Sequence, residues 1–313
     1  MINLKISIIT VSFNSAKTIS DTIESVLSQT YPDIEYLVLD GSSSDGTVEL
    51  VNSYGNRISK FISEPDKGIY DAINKGIRLA TGNIIGILHS DDFFYSNNVI
   101  EKVAASFNEY EIDAVFGDAR FVDPINTSKV VRYYSSKLFS TAKFKFGYMP
   151  AHPSFYVKRE LFEKLGYYKT DYKIAADFEL LVRFLYINQI KCKYLEIPFL
   201  SMRMGGVSNK SIFSKYTLNK EIVRACNIVA QVGADFVKTS VGLLRGSKPA
   251  TVEKVKLMFD TVSPKGLKVK ASGGIHSTEI FLAMIEAGAS RVGTSKGIEL
   301  LKGLKNSNEE IDY

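Results

Sequence analysis

The chain has 313 residues, of which 45% are hydrophobic and 23% are charged, a composition typical of a globular protein with a sizeable core. Its net charge of +5 is mild. It suits an anionic small molecule or a lipid headgroup surface, and gives no indication of nucleic acid as a partner. Cys192 and Cys226 are the two cysteines, too few for a disulfide framework or a zinc finger, and they favour a reducing compartment.

The start of the chain predicts a cytoplasmic protein. Residues 1–5 lead straight into an apolar segment without the pattern of a signal peptide. No apolar run approaches the roughly 18 residues that a membrane-spanning helix needs. We therefore expect a cytoplasmic location, and peripheral contact with the inner face of the membrane stays open.

Alternating strands and helices run through the first third of the chain. The predicted strands are residues 5–11, 34–39, 60–62 and 84–88, and the clearest helices are residues 16–29 and 70–81. This βαβ rhythm predicts an α/β fold with a mostly parallel, doubly wound sheet.

Two adjacent carboxylates, Asp91 and Asp92, follow the apolar run Ile84–Leu88. Ligands of open α/β sheets bind beyond the carboxyl ends of the strands. Neighbouring aspartates must be either solvated or close to a cation, because two unpaired charges cannot be buried together. The pair therefore indicates either a divalent cation on diphosphate oxygens or a polar loop that caps the next helix.

A second carboxylate, Asp40, ends another predicted strand and begins the loop DGSSSDGT of residues 40–47. It should lie at the same sheet edge as the aspartate pair, where it could accept hydrogen bonds from a ribose or a nucleobase. The loop has neither a dinucleotide fingerprint nor a phosphate loop, and an ordinary turn is the alternative.

In this order the motifs resemble the family-2 glycosyltransferases of the GT-A fold. The matching segments are TVSFN (10–14), DGSSSDGT (40–47), EPDKGIYDAINKG (64–76), TGNIIGILHSDD (81–92) and AADFEL (175–180). The resemblance covers about residues 1–220 and implies a GT-A sheet that binds a UDP-, GDP- or dTDP-sugar.

The resemblance also implies roles for individual residues. Asp92 would bind Mg²⁺ or Mn²⁺ on the diphosphate, and Asp91 would reach the ribose or the sugar. The family commonly has Asp-x-Asp where this chain has Ser90-Asp91-Asp92, so the division of labour between the two carboxylates stays open. The residues implied to hold the rest of the nucleotide sugar are Thr10, Ser12, Asn14, Asp40 and Lys67.

The general base implied by the resemblance is Asp177, with Glu179 as the second candidate. Such a base near the anomeric carbon serves an inverting single displacement. An aspartate that caps a helix is the alternative for Asp177. His152 lies between two prolines and either lines the acceptor pocket or is structural.

The absence of tryptophan removes the Gln-x-x-Arg-Trp motif of the processive members. We therefore expect one sugar per encounter, transferred to a saccharide or lipid-linked acceptor in surface polysaccharide assembly. A non-catalytic remnant that binds nucleotide sugars is the competing interpretation.

Basic and aromatic residues alternate between Lys129 and Phe146. One interpretation is a segment that rests on an anionic membrane. The other is a solvated amphipathic segment that packs its aromatic side chains inward.

The last third of the chain resembles a different family, deoxyribose-phosphate aldolase, a class I aldolase on a TIM barrel. The matching strands are residues 234–240, 267–275 and 290–295. The resemblance implies that Lys238 forms the Schiff base and that Lys270 assists it by like-charge repulsion. It also implies a phosphate site made by Gly273, Gly274, Gly293, Thr294 and Ser295.

This second resemblance covers only about three of the eight βα units of a barrel, which three strands cannot close. We therefore interpret the chain as a chimera. Its expected parts are a GT-A domain (1–218), a partial aldolase-like β/α segment (219–305) and a disordered tail (306–313). We expect no useful aldolase activity. A two-activity enzyme, with a partner chain completing the barrel, is the alternative.

Overall fold

The structure is a computed structural model that describes residues 4–172, 175–204, 215–239 and 249–300. The chain divides into two compact units. The first comprises residues 1–143 and 148–212, and the second comprises residues 144–147 and 213–313. The tail predicted at 306–313 lies outside the described residues, as does Ser240 in the strand predicted at 234–240.

The parallel half of the first unit's sheet confirms the predicted βαβ rhythm. Its strands lie in the order β3-β2-β1-β4 and are all parallel. Their bounds are β1 Ile6–Ser12, β2 Ile34–Asp40, β3 Lys60–Ser63 and β4 Ile84–Ile87. Strand β1 is buried along its whole length, as expected for a central strand covered on both faces.

The other half of this sheet contains antiparallel pairs that the sequence did not predict. Its strands are β5 Asp92–Phe94, β6 Ala114–Val122, β7 Val130–Tyr134, β8 Tyr156–Lys158 and β9 Cys192–Arg203. The order continues from β4 as β8-β6-β9-β5, and β7 pairs with β6 outside this path. Since β8 is antiparallel to both β4 and β6, the strands β4 and β6 run in the same direction.

Helices pack on both faces of this sheet. They are α1 Ile19–Leu27, α2 Thr47–Asn52, α3 Ile69–Leu79, α4 Val99–Glu109, α5 Glu160–Leu165 and α6 Ala176–Leu181, which continues as a π-helical turn Val182–Ile187. The close approach of α3 to β1 depends on Gly76, where an added Cβ would lie 2.6 Å from Ile9. Helix α1 buries Ile19, Ile23 and Val26 against the sheet, which fixes one helix face by hydrophobic burial.

The second unit is a small parallel α/β segment with its own core. Its elements are α7 Lys215–Gln231, β10 Phe236–Lys238, α8 Val252–Val262, β11 Lys268–Ser272, α9 Thr278–Glu286 and β12 Ala289–Gly293. The strands form the order β10-β11-β12. Val237, Val269 and Ala271 pack in one cluster with Val255 and Met258 of α8. Within the described residues this sheet stays open, as the sequence predicted.

No helix in the described part of the chain combines the length and the apolar character that a membrane span requires.

Candidate active site

Ser12 and Asp40 lie side by side at the carboxyl ends of β1 and β2. The Ser12 hydroxyl donates to Oδ1 of Asp40 at 3.0 Å. Ser43 donates to the same carboxylate through its backbone N–H and its hydroxyl, and Ser63 donates through its hydroxyl. Asp40 is therefore a buried, fully hydrogen-bonded carboxylate that ties three loops of this edge together.

Asn14 joins the loop after β1 to the loop after β2. It adopts a left-handed backbone with φ of 50°, a conformation that asparagine tolerates better than most residues. Its side-chain oxygen accepts a hydrogen bond from the Ser44 backbone at 3.0 Å, and its N–H donates to Ser43 Oγ at 2.7 Å. The family resemblance implied that Ser12, Asn14 and Asp40 act together, and the structure brings them to one edge of the sheet.

Phe13, which the sequence analysis did not single out, is exposed at this edge. Its side chain is 65% accessible, and an added Cβ on Gly41 would lie 3.3 Å from its ring. An exposed aromatic ring above a glycine offers a flat apolar surface on which a planar group can stack. Its signal in the sequence was an aromatic residue in the turn directly after a buried strand.

Thr10 does not reach this surface. It is fully buried, and its hydroxyl oxygen accepts a hydrogen bond from Tyr36 at 3.1 Å. The inclusion of Thr10 among the ligand-contacting residues is therefore corrected. It lies in the core below the site, because it precedes the end of β1 by two positions.

The aspartate pair lies in the turn between β4 and β5. Asp91 is half-buried, whereas Asp92 is buried and begins β5. Burial and the neighbouring Asp91 raise the pKa of Asp92 well above its ordinary value, and Arg203 opposes this rise. Arg203 also donates to the Asp91 carbonyl at 2.8 Å and pairs with Asp21, which holds the turn against the end of β9.

The donor atoms of this turn fit a magnesium or manganese ion shared with a diphosphate. A cation would relieve the unfavourable burial of charge on Asp92, whose pKa burial raises well above its ordinary value. The described residues contain no group of three or more histidine, cysteine, aspartate or glutamate side chains placed for a metal ion. One or two carboxylates, completed by phosphate oxygens and water, are the usual protein share of a magnesium site.

A chain of aromatic contacts runs from this turn to Asp177. The rings of His89 and His152 are 6.4 Å apart, and His152 Nε2 lies 2.6 Å from the Tyr168 hydroxyl. Tyr168 stacks on Tyr70 at 5.8 Å, and the Tyr70 hydroxyl donates to Asp177 Oδ1 at 3.5 Å. His152 and Asp177, both predicted from the sequence, therefore belong to one cluster.

Tyr168 is held in place by Asn74 of α3. The Asn74 amide donates to the Tyr168 carbonyl at 2.7 Å and accepts from its N–H at 3.0 Å. Burial lowers the pKa of His152 to about 3, with His89 adding to the effect, so the imidazole is neutral. His152 is thus both a structural partner of Tyr168 and a neighbour of the aspartate turn.

Asp177 lies in the first turn of α6 and is surrounded by protein on most sides. This burial raises the pKa of Asp177 to about 6, although hydrogen bonds from the Phe178 backbone, its own backbone and Tyr70 oppose the rise. A carboxylate with such a pKa is a stronger base than an ordinary aspartate and is still mostly ionised at neutral pH.

Glu179 forms ion pairs with two basic side chains, Arg183 and Lys169. Its carboxylate accepts two hydrogen bonds from Arg183 and pairs with Lys169 at 3.0 Å. Burial raises the pKa of Glu179, but the contacts with Arg183 and Lys169 outweigh it and the net shift is downward. The geometry therefore argues against Glu179 as the alternative base.

Lys67 lies in the loop before α3 and is exposed. Its backbone N–H donates to Asp71 at 3.1 Å, which fixes the loop. Its predicted contact with a phosphate or a sugar stays a prediction.

In the second unit, Lys238 and Lys270 are direct neighbours on adjacent parallel strands, as the sequence predicted. Lys238 is exposed and Lys270 is half-buried. Lys270 in turn is opposite Arg291 of β12. Val237 and Val269, which alternate with the lysine pair along the strands, pack on α8, so Lys238 and Lys270 belong to the other face of the sheet.

The glycine loops beyond these strands keep a defined geometry. Gly273 and Gly274 have positive φ of 94° and 75°, and the Thr294 hydroxyl donates to the Ile275 carbonyl at 2.7 Å. Gly293 ends β12, and Ser295 follows at the surface. Whether these residues bind a phosphate stays a prediction.

A curled, mostly parallel sheet with paired carboxylates at the end of a central strand defines the first unit as a glycosyltransferase of the GT-A fold. The chain belongs to glycosyl transferase family 2, whose family model matches residues 7–166. A second model, that of the DeoC/LacD family aldolases, matches residues 181–304. The chain is thus a fusion of parts of two families, as the sequence predicted.

Known relatives match each part separately. The chain is 28% identical over 236 residues to a PGL/p-HBAD biosynthesis glycosyltransferase of Mycobacterium bovis BCG, covering 74% of this chain and 87% of that protein. It is 56% identical over 132 residues to a deoxyribose-phosphate aldolase of Finegoldia magna. That match covers 41% of this chain and 61% of the aldolase, so a large part of the aldolase has no counterpart here.

Solved structures support the fold. Staphylococcus aureus TarS (residues 1–349) in complex with UDP-GlcNAc matches with a TM-score of 0.61 at 18% identity, over 83% of this chain and 72% of that one. A mannosyltransferase of Pyrobaculum calidifontis, in complex with GDP-Man and Mn²⁺, matches with a TM-score of 0.50 at 19% identity, over 91% of this chain and 74% of that one.

Proposed function

We propose that the first unit transfers a single sugar from a nucleotide-sugar donor to a hydroxyl of a saccharide or lipid-linked acceptor, with inversion, in surface polysaccharide assembly. One observation carries this proposal. Asp177, a carboxylate with a pKa of about 6, is linked by packed aromatic side chains to the turn that holds the aspartate pair. A base and a site for a diphosphate leaving group are the two parts that such a transfer needs.

The donor would lie across the carboxyl ends of β1, β2 and β4. Phe13 is suited to stack on the base, while Ser12, Asn14 and Asp40 shape the edge that receives the ribose. Asp91 and Asp92 would hold Mg²⁺ or Mn²⁺, which supplies charge neutralisation for the departing diphosphate when bound. The UDP-GlcNAc and GDP-Man complexes of the two structural neighbours support a donor of this chemical class.

The acceptor would approach from the side of Asp177 and His152. The acceptor hydroxyl gives its proton to the Asp177 carboxylate as its oxygen forms a bond to the anomeric carbon. The bond from that carbon to the diphosphate oxygen breaks, and its electron pair leaves with the nucleoside diphosphate. Attack from the face opposite the leaving group inverts the anomeric configuration.

For the second unit, the adjacent Lys238 and Lys270 keep a Schiff-base lyase as the second candidate function. A lysine that attacks an aldehyde at neutral pH needs a desolvated pocket, whereas Lys238 is exposed. We therefore propose that this unit has no aldolase turnover, and that the chain acts as a glycosyltransferase.

A donor panel tests the proposal. The full chain is incubated with UDP-, GDP- and dTDP-sugars, with Mn²⁺, with Mg²⁺ or with chelator, and release of nucleoside diphosphate is measured. We expect release from one donor class, dependent on metal and lost in Asp177→Asn. Binding of a donor without release under every condition, with candidate saccharide acceptors present, would favour the non-catalytic remnant.

A further inference from the structure

The hairpin formed by β6 and β7 extends beyond the edge of the sheet that carries the candidate site. Ile85 of β4 and Ala114 of β6 are level, because both pair with Val157. From this level β6 continues to Val122, roughly 26 Å further along the strand. Asp92, at the end of the aspartate turn, is level with Phe121 of β6, because both pair with Met202 of β9. The hairpin tip, residues 123–133, is therefore at the same end of the sheet as the site.

The hairpin tip exposes apolar side chains on a strand that has a neighbour on one side only. Ile125 is 95% accessible, and Val131 and Tyr133 are each 51% accessible. Strand β7 pairs with β6 alone, and four of its five residues are exposed. Single exposed apolar residues are ordinary, but a contiguous group of them marks an interaction surface.

Within the basic and aromatic segment 129–146, some aromatic side chains pack inward and others stay exposed. Tyr134 packs against the core, which agrees with the inward interpretation. Tyr133, by contrast, is half exposed beside Val130 and Val131, although its hydroxyl donates to the buried Asp118 at 2.7 Å. The inward interpretation thus accounts for part of the segment and leaves the outer surface of β7 unexplained.

Cations outnumber acids among the residues of the hairpin tip. Lys129 and Arg132 flank Val130 and Val131, and residues 124–138 contain neither aspartate nor glutamate. Asp123 is the acid of the tip, and its Oδ1 accepts hydrogen bonds from the backbone of Ile125 and Asn126, so Lys129 and Arg132 together with Asp123 give residues 123–133 a net charge of +1. The hairpin tip is thus apolar and positively charged together, which is the composition of surfaces that rest in an anionic headgroup layer.

We propose that the hairpin tip docks on an anionic phospholipid membrane, with Ile125, Val131 and Tyr133 at the headgroup boundary and Lys129 and Arg132 on lipid phosphates. Charge complementarity favours this occupant over a second copy of the chain, since two such tips would repel each other. Docking would turn the candidate site toward the membrane. The inference does not depend on the proposed transfer, because membrane binding is measured without donor or acceptor.

Vesicle sedimentation tests it with the full chain. The probes are vesicles of phosphatidylcholine alone and of phosphatidylcholine with phosphatidylglycerol. We expect binding to the anionic vesicles that weakens as salt is added. The double variant Lys129→Gln/Arg132→Gln should bind about 25-fold more weakly, at about fivefold per basic residue. The variant Ile125→Ser should also lose binding without a change in melting temperature, because Ile125 is 95% accessible. Arg132 lies over the rings of Phe121 and Tyr134, so the double variant is compared with the parent at a temperature where both are folded.

Matched controls separate this surface from net charge and general apolar exposure. Lys60→Gln/Lys102→Gln removes two exposed cations elsewhere in the first unit, and Ile298→Ser removes an exposed isoleucine (76% accessible) of the second unit. Both should bind like the parent. Equal loss in the control and hairpin variants, or no vesicle binding by the parent, would overturn the proposal. Self-association that the hairpin variants abolish, measured by light scattering without vesicle binding, would assign the surface to a second copy instead.

Discussion

Arg183 donates hydrogen bonds to both carboxylate oxygens of Glu179. Arg183 Nε lies 3.0 Å from Oε1 and Nη2 lies 2.9 Å from Oε2, and both side chains are largely buried. The same guanidinium donates to the carbonyls of Leu165, Gly166 and Tyr167. Glu179 therefore anchors the loop between α5 and α6, which leaves Asp177, two residues earlier, as the carboxylate available for chemistry.

Substitutions at these two carboxylates should separate catalysis from stability. Asp177→Asn should reduce turnover by about 10²- to 10⁴-fold, the usual contribution of a general base, with a melting temperature that is unchanged or raised. Glu179→Ala should cost about 3–5 kcal/mol of stability, because it leaves Arg183 buried and unpaired. Nucleoside diphosphate release and thermal unfolding measure the two effects.

Glu179→Gln is the matched control, since it keeps the shape of the side chain. It should retain turnover within a few-fold of the parent at a temperature where it is folded. A large loss of turnover in Glu179→Gln, with full activity in Asp177→Asn, would reverse the assignment of the base.

The pH dependence of turnover should follow the ionisation of Asp177. The base acts when deprotonated, so the rate should rise with pH and level off above about 6, the pKa of this carboxyl group. Tyr70→Phe removes a hydrogen bond that favours the charged form, which raises the pKa and should shift the acidic limb to higher pH. The measurement is the turnover rate from pH 5 to 8.

Tyr31→Phe serves as the control for that profile, because the Tyr31 hydroxyl bonds to the Leu4 carbonyl, before the start of β1 at the opposite edge of the sheet. Its profile should match that of the parent. An acidic limb that stays in place in Tyr70→Phe would mean that another group sets it.

Metal dependence should be lost in Asp92→Asn, the substitution that removes the predicted ligand. We expect that variant to stay folded, because an amide is easier to bury than a charged carboxylate. Thermal shifts with UDP and GDP, with and without Mn²⁺, measure binding through the stabilisation of the native state. Glu109→Gln, at an exposed position of α4, is the control.

Asp91→Asn decides between the two carboxylates. Asp91 is the more exposed of the pair, so it is the alternative ligand. Metal-dependent binding that survives in Asp92→Asn and disappears in Asp91→Asn would transfer the ligand role to Asp91.

The second unit should fail to catalyse the retro-aldol reaction of deoxyribose 5-phosphate. Lys238 is exposed, so water is not excluded from any imine that it forms. Borohydride trapping followed by mass mapping should give scattered or absent labelling of lysines. Stoichiometric labelling of Lys238, together with turnover that Lys238→Ala abolishes, would instead establish a two-activity enzyme.

The sequence by itself determined the parallel half of the first sheet, the three βα units of the second and the position of the key carboxylates. Its information was local. Buried β-branched runs mark central strands, and polar residues at their carboxyl ends mark the edge where ligands bind. That is why Asp40 and Asp91 could be assigned to one edge before any contact was known, whereas the roles of Ser12 and of the pair Lys238 and Lys270 were implied by the family resemblances.

Only the tertiary structure decided which of these side chains are available. Thr10 and Ser12 lie two residues apart on one strand. The Thr10 hydroxyl is buried and accepts a hydrogen bond from Tyr36, whereas the Ser12 hydroxyl donates to Asp40. Asp177 and Glu179 lie in one helical turn, yet only Glu179 forms an ion pair with Arg183. Burial, hydrogen bonding and the pKa of a carboxylate depend on residues distant in sequence, and their identity is fixed only when the chain brings them into contact.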